Sequence, residues 1–426
     1  MKKQFAILLA LLGAMASESG AATAAGQTKT NPYPHYWMSL ATSSQSMPGM
    51  SSEMAGMAAM FGGASAFGPR RDLKLQLESP RTVSAPEAFH DIPPVLNMGN
   101  NLPLKTPRQE KSSHRERELP GKPEQHEKTR IRMLYYWGCG DNIGPGQPRV
   151  FDSEKSKPED MATIFKGAAP SLQTPPAPHN GWTFGEWPSA EDRTAIPKEA
   201  SLVGEHRIRG NYTVDIPFRL DTRRDFMEPV KFSSFQQTAS GGTKFEWQSI
   251  PTAIGYFATA VGSNGANGDI IMWSASEIPE NGMALMDYLT PGDVSRFIRD
   301  KIIIDPSRTS CTVPPIFKDS AGAMLQFIAY GEQLDIVHPP RPKDPKVVWQ
   351  PEWSVKVRLK STSMAPLGVN AGDGEKRKPK SSSRRNRVEQ QGENPPEEPQ
   401  ADRDEPAERR PRGEGVGNAL RGIFGF

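Results

Sequence analysis

The sequence predicts a mainly β protein with two β-sandwich-like domains, long disordered insertions, a disordered tail and one short helical insertion. Short segments rich in aromatic and β-branched residues recur along the chain, several with alternating apolar and polar residues. Glycine, proline and asparagine separate these segments. The 426 residues include 41 prolines and 38 glycines, and only 36% are hydrophobic, so parts of the chain cannot bury a core.

The amino terminus has the order of a secretory signal peptide. Lys2 and Lys3 precede an uncharged apolar run at 5–16, and A-x-A patterns follow at 14–16 and 22–24. The run is too short to cross a bilayer as a helix, and no later stretch is long and apolar enough. We therefore expect a signal peptide at 1–25 and a protein exported to the periplasm or cell envelope, without a transmembrane span.

The first predicted domain spans residues 34–221. The segment 34–43 and the alternating Leu73, Leu75 and Leu77 predict two strands of one sheet, separated by a Met-rich insert at 44–69. Further strands are expected at 131–136 and within 205–220, whereas 168–200 is Pro-rich and expected to be irregular. The insert 105–129 is almost wholly polar and is expected to be disordered.

The second predicted domain spans residues 222–361. Strands are expected at 245–250, 254–257, 270–273, 309–313, 323–330 and 353–359. One helical insert is expected within 277–308. Thr290 followed by Pro291 is a cap-and-proline start, and Val294 and Phe297 follow at helical spacing.

The run FEWQSIPTAIGYFATAVG at 245–262 resembles the second and third strands of a fibronectin type III domain, with a Trp on one strand and a Tyr on the next. Segments 309–314 and 327–331 are similar to later strands of that family, so the resemblance covers about 225–361. The insert 277–308 is long for the family. The resemblance implies a β-sandwich that binds or scaffolds rather than catalyses. The upstream domain also resembles exported bacterial proteins with a YWGCG-type segment, which implies no activity.

The chain beyond 362 is expected to be a disordered charged tail to 415, with a basic block at 376–387 and an acidic, Pro-rich block at 389–408. The last segment, 416–426, is apolar again. Leu420, Ile423 and Phe424 share helical spacing and suit docking to a partner groove or peripheral contact with a membrane. A frayed end is the alternative.

The two cysteines, Cys139 and Cys311, favour one disulfide in an oxidising compartment, with two free buried thiols as the alternative. Five methionines in the insert, Met47, Met50, Met54, Met57 and Met60, are spaced three or four residues apart. Thioethers suit Cu(I), so the sequence offers a periplasmic Cu(I) site as one hypothesis. A flexible loop and a docking surface are the alternatives, because glycines interrupt the helical pattern.

Trp182, Phe184 and Trp187 form an aromatic segment that could stack on sugar rings of an envelope polysaccharide. The alternative is that these rings pin a loop-rich domain from inside. No nucleophile elbow, metalloprotease helix, phosphate loop or Ser/His/Asp spacing is present. His206 beside Glu205 can be written as an acid/base pair, but we expect both to face solvent on a strand.

These observations together predict a non-enzymatic exported module that binds or assembles with an envelope protein or polysaccharide. Cu(I) binding through the methionines and processing of envelope polysaccharide are the competing hypotheses. A net charge of +3 gives no support for nucleic acid as a partner.

Overall fold

The computed structural model describes residues 31–46, 68–107, 130–157, 160, 167–264, 268–318 and 320–367. All of them lie in the first of two compact units, Met1–Gly374. Several predictions fall outside the described residues: the signal peptide, the five methionines, most of the polar insert, and the tail with Leu420, Ile423 and Phe424.

The described chain is mainly β, as the sequence predicts. The strands are β1 (His35–Gln45), β2 (Arg70–Ser79), β3 (Ala88–Asp91), β4 (Asn101–Leu104), β5 (Arg132–Trp137), β6 (Arg149–Asp152), β7 (Thr183–Trp187), β8 (Gly204–Gly210), β9 (Ile216–Leu220), β10 (Phe232–Gln237), β11 (Thr243–Trp247), β12 (Ala253–Asn264), β13 (Asp269–Ser274), β14 (Ser310–Val313), β15 (Ser320–His338) and β16 (Trp353–Leu367). The described part contains one α-helix, α1 (Pro291–Arg299). Short 3-10 helices lie at Pro94–Leu96, Thr222–Arg224 and Met283–Leu285.

The strands form three sheets. A nine-stranded sheet has the order β6-β5-β13-β12-β15-β16-β1-β2-β7, a four-stranded sheet the order β4-β3-β8-β9, and a three-stranded sheet the order β10-β11-β14. β1 pairs in parallel with β16, and β5 pairs in parallel with β13.

The nine-stranded sheet takes strands from both sides of the predicted domain boundary at 221–222. Described strands on both sides of this boundary therefore share one sheet within one unit. The sequence leaves open whether the two β regions form one unit, because alternation reports which residues of a strand are buried but not which strand lies beside it. Parallel pairing also joins segments that are far apart in sequence.

One face of the large sheet, which we call the core face, packs against both smaller sheets. One continuous apolar cluster includes residues from all three sheets. On the large sheet, its members alternate along the strands as expected for a half-buried pleat. They include Tyr36, Met38, Leu40, Leu73, Leu75, Leu77, Val355, Val357 and Leu359.

The opposite face, which we call the strap face, has a separate apolar cluster. Phe297 of α1 and Leu285 pack on Phe257, Ile328 and Tyr330 of the sheet. Helix α1 begins as the sequence predicts, because the Thr290 hydroxyl accepts a hydrogen bond from the Asp293 backbone N–H at 3.0 Å.

A Pro-rich segment, residues 167–182, crosses the strap face, and we call it the strap. The buried Asp293 carboxylate accepts a hydrogen bond from the Ser171 N–H at 2.8 Å, and Arg296 donates to the Ala169 carbonyl at 3.0 Å. Further along, the Pro176 carbonyl accepts from Gln76 Nε2 at 2.9 Å. The strap therefore runs from α1 to β2.

Most predicted strands are confirmed, with two corrections. Residues 183–187, expected to be irregular, form β7 at the edge of the large sheet. β16 continues to Leu367, into the expected tail, because its pairing with β15 extends to Ala323 opposite Leu367. The Cys139–Cys311 disulfide is confirmed, and it links the end of β5 to β14 of the three-stranded sheet.

Candidate functional site

β16 carries three basic side chains on the strap face. Val355, Val357 and Leu359 point into the core, so the alternating residues between and beyond them, Lys356, Arg358 and Lys360, project from the other face. The parallel partner β1 sets Trp37 opposite Lys356 and Ser39 opposite Arg358. The pleat thus groups cations and an aromatic ring on one face.

These cations alternate with aromatic rings. The Trp37 ring centroid lies 5.1 Å from Lys356 Nζ and 5.2 Å from Arg358 Cζ. On the other side, the Tyr288 ring centroid lies 4.3 Å from Arg358 Cζ and 4.4 Å from Lys360 Nζ. The Arg358 guanidinium is therefore held between two rings, each of which also contacts a lysine.

The two lysines have carboxylate partners, and Arg358 has none among the described residues. Lys356 pairs with Asp335 at 2.6 Å and Lys360 with Asp287 at 2.8 Å. Arg358 Nε donates to Ser39 Oγ at 2.8 Å, and no described group accepts from its two terminal nitrogens. Arg358 is only 8% exposed, yet these nitrogens are not among the atoms sealed from solvent.

The electrostatics of this group follow from its burial. Burial lowers the pKa of Arg358, although Tyr288 and Asp287 act in the opposite direction. Burial also raises the pKa of Tyr288. A half-paired arginine in such surroundings favours an anion as the missing partner, because the planar guanidinium binds carboxylates and phosphates through two parallel hydrogen bonds.

Three glutamines add unpaired amide atoms to the same face. Gln333 pairs with Arg358 in the sheet register and leaves its Oε1 buried without a hydrogen bond. Gln76 lies opposite Trp37 and likewise leaves Oε1 unpaired. On the strap, both amide atoms of Gln173 are buried without a partner among the described residues. Such groups are costly unless something hydrogen-bonds to them.

An aromatic group continues this face towards the start of β1. The His35 ring stacks on the Trp182 ring at a centroid distance of 6.1 Å. The Tyr33 ring lies 4.5 Å from His35 and the His179 ring 5.0 Å from Trp182, both in tilted arrangements. His35 and Trp37 are two residues apart on β1, so their side chains lie on the same face. Rings thus extend along β1 from Trp182 to Tyr288, and we call this set the aromatic strip.

Ser354, His35 and Glu78 stand opposite one another on three neighbouring strands. Ser354 Oγ lies 2.8 Å from His35 Nδ1. The Glu78 carboxylate instead lies 3.7 Å from His179 Nε2. Burial lowers the pKa of His35 and raises that of Glu78. Because the carboxylate does not orient His35, these residues do not form the relay that a serine hydrolase requires.

The structure separates the three aromatic residues that the sequence singled out. Trp182 is half-buried within the aromatic strip, whereas Phe184 and Trp187 are 3% and 1% exposed. Trp187 belongs to the core-face cluster, and its Nε1 donates to Asp192 at 3.2 Å. Their role in ligand binding stays a prediction, and only Trp182 offers part of its ring to solvent.

His206 was expected to face solvent, and this expectation is wrong. Its side chain is 2% exposed and its ring stacks 5.0 Å from Phe218, while the neighbouring Glu205 is exposed and pairs with Arg219 at 2.6 Å. The reason is the phase of β8, which turns His206 and Ile208 inward and Glu205 outward. His206 contacts His90, so it belongs to the interior.

Arg358, Trp37 and Tyr288 were not predicted from the sequence as site residues. The alternation K-V-R-L-K at 356–360 indicates a strand with three basic residues on the face opposite its apolar residues. Three basic residues on one face are unusual for a half-buried strand. No local pattern could have assigned Trp37 and Tyr288 to it, since they lie far away in sequence.

Comparison with protein-family models gives no match, and comparison with curated proteins gives none either. Within the described ranges, no helix is long and apolar enough to cross a membrane. The same part of the chain holds no group of three or more His, Cys, Asp or Glu side chains placed to bind a metal ion. The Cu(I) hypothesis rests on methionines outside these ranges.

Proposed function

We propose that this chain is an exported, non-enzymatic binding module whose ligand is an acidic polysaccharide of the cell envelope. The observation that carries the proposal is the Arg358 guanidinium, which is stacked between two rings while its terminal N–H groups have no acceptor among the described residues. A carboxylate of a uronic acid matches that guanidinium in shape and charge.

The surroundings of Arg358 support a sugar rather than a bare anion. The half-buried Trp182 and its neighbour His35 offer aromatic surface at one end of the aromatic strip. Binding sites that combine aromatic surface with a few polar groups are typical of small-molecule recognition.

The excess charge favours an acidic ligand over a neutral one. Lys356 and Lys360 are already neutralised by Asp335 and Asp287, so the uncompensated charge is that of Arg358. A hydrogen bond to a charged group contributes roughly 1.5–3 kcal/mol, equivalent to a roughly 10- to 150-fold change in affinity. Removing the guanidinium should therefore weaken binding by at least about tenfold.

The test is calorimetric titration of the mature protein with polygalacturonate and with its methyl ester, which has the same backbone without the charge. We expect the acid to bind and the ester to bind at least about tenfold more weakly. Arg358→Gln should abolish this preference. Arg209→Gln is the matched control, because Arg209 also lies over a ring, Phe89 at 4.9 Å, but on the four-stranded sheet.

Trp182→Ala tests the other end of the strip without touching the buried arginine. It should weaken the binding of long chains more than that of a galacturonate dimer, because only a long chain reaches both ends. Equal affinity of wild type and Arg358→Gln for the acidic polymer, with the fold intact by circular dichroism, would refute the proposal. Shortening of the polymer during incubation would refute the non-enzymatic part.

A further inference from the structure

The edge of the large sheet is only partly occupied beside β2. β7 pairs with β2 from Leu75 to Ser79, opposite Trp187 to Thr183. Pro188 follows Trp187 and has no N–H with which to continue the pairing. The chain then turns away from β2, and the Ser189 N–H donates to the Asp192 carbonyl at 3.1 Å. Among the described residues, Arg70 to Lys74 have no strand on this side.

The register decides which backbone groups this open edge presents. Glu186 exchanges both of its backbone hydrogen bonds with Lys105, each at 2.9 Å, on the side of β7 away from β2. In an antiparallel pair the bonded residues alternate, so Leu75, Leu77 and Ser79 direct their N–H and C=O groups at β7. By the same alternation, the backbone N–H and C=O groups of Arg71 and Leu73 point to the open edge.

The hydrogen bonds of the neighbouring strand β1 lead to the same assignment of odd- and even-numbered residues in β2. The Ser46 N–H donates to the Met364 carbonyl and the Ser354 N–H to the Pro34 carbonyl, so the even residues of β1 bond to β16. The odd residues of β1 therefore bond to the even residues of β2, to which the register pairs them. Arg71 and Leu73 are left with no backbone partner in the described part of the chain. Unpaired edges of this kind are templates for another strand.

A cleft of about 800 Å³ lies along this edge, closed on its far side by the loop 188–196. Leu73, Trp187 and Ile196 contribute apolar surface on the core-face side. Five residues of strand extend over about 17 Å, which matches a peptide of five or six residues.

The cleft is lined by four basic and two acidic side chains. Both acids are already paired, Asp72 with Arg70 at 3.0 Å and Glu186 with Lys74 at 3.9 Å. Arg71 donates to the Ala200 carbonyl and lies over the Phe226 ring. Arg193 is exposed and has no ion-pair partner among the described residues. Two positive charges therefore remain uncompensated at the cleft.

We propose that the open edge of β2 binds an extended acidic segment of a partner protein, which adds to the large sheet as an antiparallel strand in line with β7. In such a pair, bonded residues share a face of the sheet. The partner residue that bonds to Leu73 therefore points to the core face and should be apolar. The partner residue that bonds to Arg71 points to the same face, beside an uncompensated cation, and should be acidic. The residue between them lies on the strap face opposite Asp72 and should be uncharged.

This geometry specifies the probe. We use the capped peptide Thr-Thr-Val-Thr-Glu-Thr and two forms of it, N-methylated either at the valine and the glutamate or at the two threonines that flank the valine. The valine and glutamate N–H groups face β2 at Leu73 and Arg71 in the proposed pair, and the N–H groups of the two flanking threonines face away. We expect methylation of the valine and glutamate to abolish binding and methylation of the two threonines to leave it within about twofold of the parent. Equal binding of the two methylated forms would overturn strand addition.

Charge is tested independently. Arg193→Glu, an exposed change with no contact to lose, should weaken the acidic peptide roughly tenfold, and the lysine analogue of the peptide should bind at least as weakly. Equal affinity for the two peptides would overturn the acidic preference. Arg358→Gln should not change peptide binding, and Arg193→Glu should not change binding of polygalacturonate, so the two proposals stand or fall separately.

Amide hydrogen exchange locates the strand. The Arg71 and Leu73 amides should exchange quickly in the free protein and slowly with peptide bound, whereas the Asp72 and Lys74 amides, which bond to β1, should be protected in both states. Peptide binding without slowing at Arg71 and Leu73 would place the peptide elsewhere and refute the proposal.

Discussion

Two buried histidines predict that acid destabilises this fold. Tyr36 Oη lies 2.9 Å from His90 Nδ1, His90 Nε2 lies 2.8 Å from His206 Nδ1, and His206 Nε2 lies 2.7 Å from the Leu202 carbonyl. A carbonyl only accepts, so His206 Nε2 carries hydrogen, its Nδ1 accepts from His90 Nε2, and His90 Nδ1 accepts from the Tyr36 hydroxyl. With both rings neutral, every group in this chain of hydrogen bonds is satisfied.

Burial favours the neutral form of both rings. It lowers the pKa of His90 well below its ordinary value, with a further contribution from the proximity of His206. It also lowers the pKa of His206, although the Leu202 carbonyl, Glu205 and Asp225 favour the cation. In the unfolded chain both rings titrate near about 6.5. Below that pH the unfolded state binds more protons than the folded state, so stability falls as the pH falls.

The magnitude follows from this linkage. Lowering the pH from 7 to 5 costs at most about 2 kcal/mol for each histidine and at most about 4 kcal/mol for both, the limit reached when neither ring takes up a proton in the folded state. That is a large part of the roughly 5–15 kcal/mol that stabilises a typical domain. The loss begins near the unfolded pKa of about 6.5 and continues until the folded pair itself takes up a proton.

The measurement is the free energy of unfolding by urea denaturation at several pH values between 7.5 and 5. His90→Gln should remove up to about 2 kcal/mol of the pH-dependent loss, since the amide can accept from Tyr36 and donate to His206 without titrating. His338→Gln is the control, because that histidine is exposed on the end of β15. An equal pH dependence in wild type and His90→Gln would refute the assignment of neutral rings.

Two further predictions concern stability. Replacing both Cys139 and Cys311 by Ser removes a crosslink between residues 172 positions apart and should lower the free energy of unfolding by up to about 5 kcal/mol. The measurement is urea denaturation without reductant. Adding reductant should lower the free energy of unfolding of the wild type to the value of the double variant. Gly282→Ala should cost about 2–4 kcal/mol, because φ is +76° and a Cβ would lie 2.6 Å from atoms of both Phe257 and Thr259. Gly99→Ala, at φ +85° with open space around it, is the matched control and should cost only about 1 kcal/mol in the same thermal melts.

Several features of the fold were predictable from the sequence. The structure confirms the pairing of the first two strands, the helix capped by Thr290 and the Cys139–Cys311 bond. They were predictable because alternation, a helix cap and an even cysteine count are local or compositional signals. The same kind of alternation predicted the strand at 353–359, which β16 confirms.

Other features depended on contacts between distant segments. Strand order in the large sheet, the rings on both sides of Arg358 and the half-open edge of β2 all follow from which strands became neighbours. His206 is an example, because its strand was predicted from the sequence but the buried position of its side chain was not. A shift of one residue exchanges the two faces, and only packing against Phe218 and His90 decides between them.

The amino-acid sequence by itself determined a mainly β chain, the positions of most strands, the single helix in the described part and the pair of cysteines able to crosslink it. Tertiary structure alone decided that strands from both halves share one sheet, that a guanidinium lies between two rings, and that Arg71 and Leu73 face an open edge. The physical reason is that propensity and periodicity act over a few residues, whereas burial and strand pairing are settled between segments hundreds of residues apart.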